Sequence, residues 1–512
     1  MTSPTVVVIG AGVAGVTAAA RLVQGGITNV TVLEAQDYVG GRVKCVAVDG
    51  QSVELGAQYV HGRQDNPAYN IVTKLGLEHW AQPDNDSEVF NIPEEFLTSH
   101  GERIPVTEKI KSQIKELSDK LDKNYDEDVE IEDKDSDKSE GDQYETVYKT
   151  YLRGLTDEKD RKLFLAIYRW FKLYQIVDTA SADLSDLSIY ALSKYKVLPG
   201  PRDTYVEGGM TALLRYIENV VSDKICLSTP VQNINWSEDL YPKVCVTYNT
   251  YNQEKTILAD YVIVTVSIGY LQAKHRELFT PPLPRPLATA IEHIGFGGVG
   301  KIFLQWDKPF VGYTREDDGV QIYELLWTDD NIRLRSDRSQ KKKQNGEPWW
   351  FGIHSLETVY KCPNVLELWL GKEEAELSEE LEDSEVMDIS YELVQLFFRD
   401  FVVPPPTAVN RTTWISNPYI RGTYSFLSTQ IKKEDLKHLQ MHLPPNEEPR
   451  VLFAGEGFAR EFISTFHGAH LSGLEQADTI LTREKKVPDQ SLVDFISTQT
   501  VGDGLHNCLS SS

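Results

Sequence analysis

The chain of 512 residues carries 77 Asp and Glu against 52 Lys and Arg, a formal charge of −25, with 41% hydrophobic and 10% aromatic residues. That length exceeds one hydrophobic core and predicts two or more interlocked domains of globular composition, and no apolar run approaches the roughly 18 residues of a membrane span. The charge argues against nucleic-acid binding by the bulk surface and leaves two readings open, steering of cationic small molecules or plain solubility.

The chain opens with Val6-Val7-Val8-Ile9 running into Gly10-Ala11-Gly12-Val13-Ala14-Gly15, and a helix-like stretch follows from Val16 to Gln24. A second short strand, Val30 to Leu33, ends in Glu34. This is the dinucleotide-binding fingerprint in its βαβ context. Gly10 permits the tight turn, Gly12 lets backbone approach a pyrophosphate, and Gly15 lets the helix pack on the strand. The helix N-terminus then faces the phosphates, and Glu34 accepts from a ribose diol. Close behind comes Gly40-Gly41-Arg42, a second glycine turn with a guanidinium suited to pyrophosphate; its alternative is a surface turn with a solvated arginine.

The apolar stretch starting at Thr5 belongs to the fingerprint, which argues against a signal peptide, and Ser510-Ser511-Ser512 is no peroxisomal address, so a cytoplasmic protein is expected. Five scattered cysteines lack metal-ligand spacing; reduced thiols and no metal site are expected. From Ser118 to Glu145 the chain turns strongly polar, and such runs rarely pack, so 118–145 is expected to be an acidic mobile insertion. An amphipathic run, Leu213 to Val221, is followed by strand-like segments at Lys224 to Leu227 and Pro230 to Ile234. A hairpin pattern spans Lys243 to Tyr248 and Lys255 to Leu258, and Ala259 to Ser267 reads as a buried strand with a turn after it. Lys301 begins an apolar strand, Ile302 to Leu304, where burial without a partner is costly and the alternative is a strand-edge lysine reaching solvent. Ser336 to Gln344 looks like an exposed loop. The last strand lies in Arg450 to Glu456, and Ser464-Thr465 opens a helix to about Arg483.

The predicted fold is therefore α/β, with a discontinuous Rossmann-like dinucleotide domain from 1–75, 200–285 and 410–485. A second, α+β substrate domain would comprise 76–199 and 286–409, and 486–512 would be a C-terminal tail.

Separated blocks then point to one family. They are Gly40-Gly41-Arg42, Glu54 to Gly62, Gly300-Lys301-Ile302-Phe303-Leu304, and Phe453-Ala454-Gly455-Glu456 with the Ser464-Thr465 helix. Thr265-Val266-Ser267-Ile268-Gly269 and Trp414 to Ser425 add to them. In order and spacing the chain resembles the flavin-dependent amine oxidases, and within them the animal polyamine oxidases (spermine oxidase and N1-acetylpolyamine oxidase). The resemblance implies a fold of the two-dinucleotide-binding type and FAD held by Gly10, Gly12, Ala14, Gly15, Glu34, Ala35, Gly41 and Arg42. Gly56, Ala57, Val231, Trp414, Gly455, Glu456, Ser464 and Thr465 would complete that site. No cysteine stands in Thr423-Tyr424-Ser425, so the FAD is expected to be non-covalent.

By the same resemblance Lys301 would hold a water at the reacting edge of the flavin and His61 would face the substrate nitrogen. Tyr424 would wall an aromatic slot, with Tyr59, Thr465 and Phe466 also contacting substrate. On the residues alone, Tyr424 and Trp414 read equally as core aromatics and Thr465 as a helix cap. Tyr59, Phe466 and His470 depart from the residues usual in polyamine oxidases. The implied activity is oxidation of an amine C–N bond of spermine or an N1-acetylated polyamine with O2, giving an aminoaldehyde, a shorter polyamine and hydrogen peroxide. The expected partners are the cationic polyamine and O2, with no nucleic acid or membrane, in a monomer or weak homodimer. The alternatives are an amine or amino-acid oxidase of other specificity, an enzyme like the histone-lysine demethylases, or a catalytically silent flavin-binding protein.

Overall fold

The computed structural model describes residues 3–81, 92–124, 138–193, 195–251, 253–310, 320–329 and 331–486. A five-stranded sheet runs in the order Val451–Phe453, Tyr261–Val264, Val6–Ile9, Val30–Leu33, Ile225–Cys226, with every pairing parallel. Its strands come from the first, middle and final thirds of the chain. Parallel strands are covered on both faces, which is why Val6 to Ile9 is a continuous apolar run and is wholly buried. On one face lies helix Val13–Gln24, packed against helix Phe466–Arg483. The two helices are tied by Thr17 Oγ1 to His470 Nδ1 at 2.9 Å and by the buried Arg21 to Asp478 at 2.6 Å. On the other face sits a four-stranded sheet containing the hairpin Val244–Thr250 and Gln253–Ala259.

A seven-stranded mixed sheet forms the second layer. Its order is Ala408–Arg411, Gly300–Gln305, Cys362–Leu370, Ser355–Val359, Ile322–Leu326, Glu95–Thr98, Arg103–Pro105. Trp349, Trp350 and helix Asp383–Phe397 pack with it around an apolar core. Lys301 lies opposite Trp369, Glu357 opposite Glu367, and Ile322 opposite Glu357. Strand side chains alternate faces, so Lys301, Glu367, Glu357 and Glu324 share one face.

Two segments differ from their composition. Helices Glu108–Asn124 and Glu140–Gly154 enter the acidic stretch 118–145 from both sides. The second is fixed by a Ser139–Asp142 capping box and by buried Tyr144, so packed chain reaches further into the stretch than its charge suggests. Residues 125–137 of that stretch, and 487–512 of the tail, lie outside the described residues. The segment 336–344 is irregular, as its composition predicts, but it is pinned to the acidic helix beside it. Ser336 N donates to Glu392 at 2.9 Å, Ser339 N donates to Glu385 at 2.7 Å, and Arg338 pairs with Asp388 at 2.6 Å. Among the described residues no helix is long and apolar enough to cross a membrane.

Candidate active site

Between the two layers runs a continuous cavity of about 940 Å³. One end is lined by Glu34, Ala35 and Val231, beyond the carboxyl ends of the parallel strands, where α/β sheets take ligands. Gly10, Gly12, Ala14, Gly41 and Arg42 line its next part, followed by Gly56, Ala57, Gly455, Glu456, Ser464 and Thr465. At the far end Trp414, Lys301, Tyr424, Phe466, Tyr59 and His61 open onto a chamber. Gly15 is the one residue of the expected set that does not line the cavity. A Cβ there would sit 2.0 Å from the carbonyl oxygen of Gly10, so its role is close packing of helix on turn.

The nucleotide end is built from backbone. Glu34 is buried and accepts from Ala11 N at 2.6 Å and Gln36 N at 2.8 Å. Burial raises its carboxyl pKa, and these backbone bonds offset part of the rise. Gly12 precedes the helix with ordinary extended backbone, and a Cβ on it would meet nothing nearer than Gly40 O at 3.9 Å. Protein packing does not demand a glycine there; the space it leaves belongs to the cavity. A glycine cradle at a helix N-terminus, a buried acid at one end and a long enclosed channel are what FAD requires, so the residues fit the group.

In the middle of the channel Arg42 donates to Thr423 O and pairs with Glu456, both at 2.7 Å. Glu456 also accepts from Ser464 N at 3.0 Å and Ser425 Oγ at 3.1 Å. Ser464 is left-handed, at φ 70°, and this turn sets the direction of the following helix. Thr465 is the N-cap of that helix, with its Oγ1 accepting from Gly468 N at 2.9 Å, while its side chain also lines the channel. Cap and cavity residue are thus one residue. His470, further along, is buried and depressed to about 4 by burial, so it is neutral and joins the helices as described.

Lys301 is almost fully buried. Its Nζ donates to Glu54 O at 3.1 Å, Gly56 O at 3.2 Å and Gln58 Oε1, and forms an ion pair with Glu367 at 3.2 Å. It also lies 4.2 Å from the centroid of the Trp369 ring. Three acceptors match its three N–H groups, so the side chain is satisfied in place, with the Glu367 carboxylate beside it. Trp414 donates to Leu55 O at 3.1 Å.

His61 exposes 46% of its side chain, and the residue forms part of the chamber wall. Its Nδ1 lies 2.9 Å from Arg202 O and 3.0 Å from Asp203 Oδ1. Two acceptors at Nδ1 assign the proton to that atom and leave Nε2 as the lone-pair nitrogen of the neutral ring. Burial works against the charged ring, but the Asp203 hydrogen bond and charge outweigh it and raise the pKa. Tyr424 donates to Val177 O at 2.6 Å, and burial holds its phenol neutral. Tyr59 packs edge-on against Tyr205 with centroids 4.9 Å apart and accepts from Gln58 Nε2 at 2.9 Å. Phe466 is buried at the junction of channel and core.

Sequence reasoning named none of the chamber's acids. Glu324, Glu357, Asp178 and Asp203 line it, and Glu367 stands behind Lys301. Burial pushes Glu324 to about 7, and burial with the charges of Glu367 and Glu324 pushes Glu357 to about 8. Glu54, expected only as part of a family block, is likewise pushed to about 7 by burial. A lone carboxylate inside an apolar strand, as in Leu366-Glu367-Leu368, was the available signal.

Comparisons with known proteins agree with this geometry. The model of a family described as "Flavin containing amine oxidoreductase" matches residues 13–481. The chain is 27% identical over 501 residues to a bovine "Peroxisomal N(1)-acetyl-spermine/spermidine oxidase", covering 94% of this chain and 95% of that one. It is 28% identical over 500 residues to the human protein of the same name, with the same coverage. Among solved structures it is similar to a putrescine oxidase bound to putrescine, with a TM-score of 0.66 over 94% of this chain and 99% of that one; at 19% identity this is a likeness of fold.

Proposed function

The chain belongs to the family of flavin-containing amine oxidoreductases and is an FAD-dependent amine oxidase; from that premise we propose that its substrate is a polyamine. One C–N bond is oxidised with O2 and water to an aminoaldehyde, a shorter amine and hydrogen peroxide. The observation that carries the reading is the chamber: aromatic walls from Tyr59, Tyr424 and Trp369 with an excess of carboxylates, Glu324, Glu357, Asp178 and Asp203, facing the same space. Such a space favours a long cation over a neutral or anionic amine. The relatives named for polyamine substrates support it over nearly the whole chain.

When bound, FAD supplies the two-electron oxidation of the amine and the reduction of O2. The chain binds and orients. Glu34 takes the ribose, and Gly12 with the first turn of helix Val13–Gln24 takes the pyrophosphate, aided by Arg42. Among the described residues no cysteine lines the cavity, and Cys45, Cys226, Cys245 and Cys362 are free, which supports FAD held without a thioether link. Free thiols also favour the cytoplasm as the compartment. The reacting nitrogen must be neutral, since a protonated amine has no lone pair. Burial against Tyr424 and Tyr59 lowers the amine pKa toward that form. His61 Nε2 accepts the N–H of the neutral amine and holds it in place. Lys301 would hold a water at the reacting edge of the flavin, beside the carbon that is oxidised, giving up one of its present acceptors to do so.

The reading is tested by following peroxide release with spermine, N1-acetylspermine, spermidine and a monoamine side by side. Rapid turnover of at least one polyamine and little of the monoamine is expected. A preference for the monoamine, or silence on all four from FAD-loaded protein, would overturn it.

A further inference from the structure

One wall of the chamber carries more carboxyl groups than the chemistry at His61 and Lys301 uses. Glu324, Glu357, Glu367 and Lys301 form an oblique row across four adjacent strands of the mixed sheet. Lys301 neutralises Glu367 at 3.2 Å. Glu357 stands directly opposite Glu367 and diagonally across from Glu324, a relation that sets diagonal neighbours about 7–8 Å apart. Glu324 accepts from Trp170 Nε1 at 2.7 Å and Glu357 from Ser355 Oγ at 3.1 Å. Among the described residues no cation contacts either one. Both line the cavity.

Beside them lies a second, independent sign of a ligand. His354 is 4% exposed and lines the same chamber, and its Nδ1 has no hydrogen-bond partner. Burial depresses it to about 3, so the ring is neutral. The Tyr174 ring meets it edge-on at 5.8 Å.

Resting on the polyamine reading above, we propose that Glu324, Glu357 and His354 form the seat of a free terminal ammonium group of the substrate, remote from the C–N bond that is oxidised. An ammonium has three N–H donors, matching two carboxylates that each hold one neutral donor and no cation, and one imidazole nitrogen without a hydrogen-bond partner. An acetylated end offers no charge and one N–H, and it sets a carbonyl oxygen against the carboxylates. The other charged groups of the chamber are already engaged: Asp178 with Arg202, and Asp203 with His61. The seat therefore requires one free end and leaves the other end unrestricted.

The test is calorimetric titration of the FAD-loaded protein with spermine, N1-acetylspermine and N1,N12-diacetylspermine, in wild type, Glu324→Gln, Glu357→Gln and the double variant. Spermine and N1-acetylspermine should bind on the order of 100-fold more tightly than the diacetylated amine, and the double variant should narrow that gap to below about tenfold. Diacetylspermine binding as tightly as spermine, or an unchanged gap in the double variant, would overturn the seat. Glutamine is isosteric and uncharged, and flavin absorbance checks that each variant is folded.

A measurement on wild type alone guards against a variant that fails. Titration at pH 7.5 in buffers of different ionisation enthalpy should show more proton release with N1-acetylspermine than with the diacetylated amine, because a seated ammonium favours the ionised form of carboxyls that burial holds partly protonated. Both carry a reacting inner nitrogen, so its deprotonation cancels; equal release would count against the seat. Peroxide assays separate the two ideas. Tight, free-end-selective binding without oxidation sinks the oxidase reading and keeps the seat. Oxidation with equal kcat/KM for spermine and diacetylspermine does the reverse.

Discussion

The two ends of the cavity are made in opposite ways. The nucleotide end is local in sequence and works by what is missing: glycines without Cβ atoms, bare backbone N–H groups, and one acid whose partners lie within about two dozen residues. The amine end is assembled from charges. Lys301 meets Glu54, Gln58 and Glu367, and the two uncompensated acids lie on strands from still other parts of the chain. Removing a side chain from the first should do little, whereas removing one from the second should leave an unpaired charge in low dielectric. That asymmetry orders the expected effects of mutation.

The largest effect belongs to Lys301. Its side chain is 5% exposed and that of Glu367 1%. Deleting one partner of such a pair leaves a buried charge and costs about 3–5 kcal/mol, whereas neutralising both is nearly free. Lys301→Met should therefore lower stability by that amount in urea denaturation, besides slowing amine oxidation. Adding Glu367→Gln should restore more than half of the stability and none of the rate. A loss below about 1 kcal/mol in the single variant would mean that the pair is solvated, as surface pairs are.

The nucleotide end offers a finer contrast within a few residues. Gly15→Ala drives a Cβ to 2.0 Å from Gly10 O, and overpacking of that kind costs about 1–3 kcal/mol. Gly12→Ala points its Cβ into the channel, so the FAD-free protein should keep its stability to within about 1 kcal/mol. FAD affinity should fall by about tenfold or more, an effect of ~1.4 kcal/mol. Melting and flavin-binding titrations on both variants read the two quantities separately. Similar stability losses in both would show that the glycines serve packing alone.

This contrast also explains what could be read from the sequence. Val6 to Glu34 was legible because its strand, turn, helix and acid carry period and punctuation within thirty residues. The hairpin at 244–259 was legible for the same reason. The polar stretch 118–145 misled in part, because capping at Ser139 and the burial of Tyr144 outweigh its charge at that end. Lys301 could be singled out, since a lysine opening an apolar strand is conspicuous. Its partners could not, because Glu367 joins it through sheet register and Gln58 through a contact spanning 243 residues. Glu324, Glu357 and His354 had no local mark of function. The two glutamates look like ordinary strand residues until the register sets them beside the cavity, and His354 looks like an ordinary residue just ahead of a strand.

The smallest expected effect lies at His61 and Asp203, where charge is paired but only partly buried. Asp203 is held below its ordinary pKa, since the His61 hydrogen bond and charge outweigh burial, while Asp203 raises His61. A raised histidine contributes stability in full below its ordinary value and loses it as pH rises through the folded value. A depressed aspartate contributes above its ordinary value and loses it as pH falls through the folded one. The pair's contribution is therefore complete between roughly pH 4 and 6.5 and fades on either side. With His61 46% exposed, solvent screening keeps it under about 1 kcal/mol. Asp203→Asn should thus cost most near pH 5–6 and little at pH 8. It should also lower the His61 pKa, moving the matching limb of the kcat/KM profile to lower pH. The shift in the profile is the sharper reading, because screening that weakens the stability term leaves the hydrogen bond at Nδ1 in place. An Asp203→Asn enzyme with an unmoved limb would show that His61 is not the group that titrates with activity.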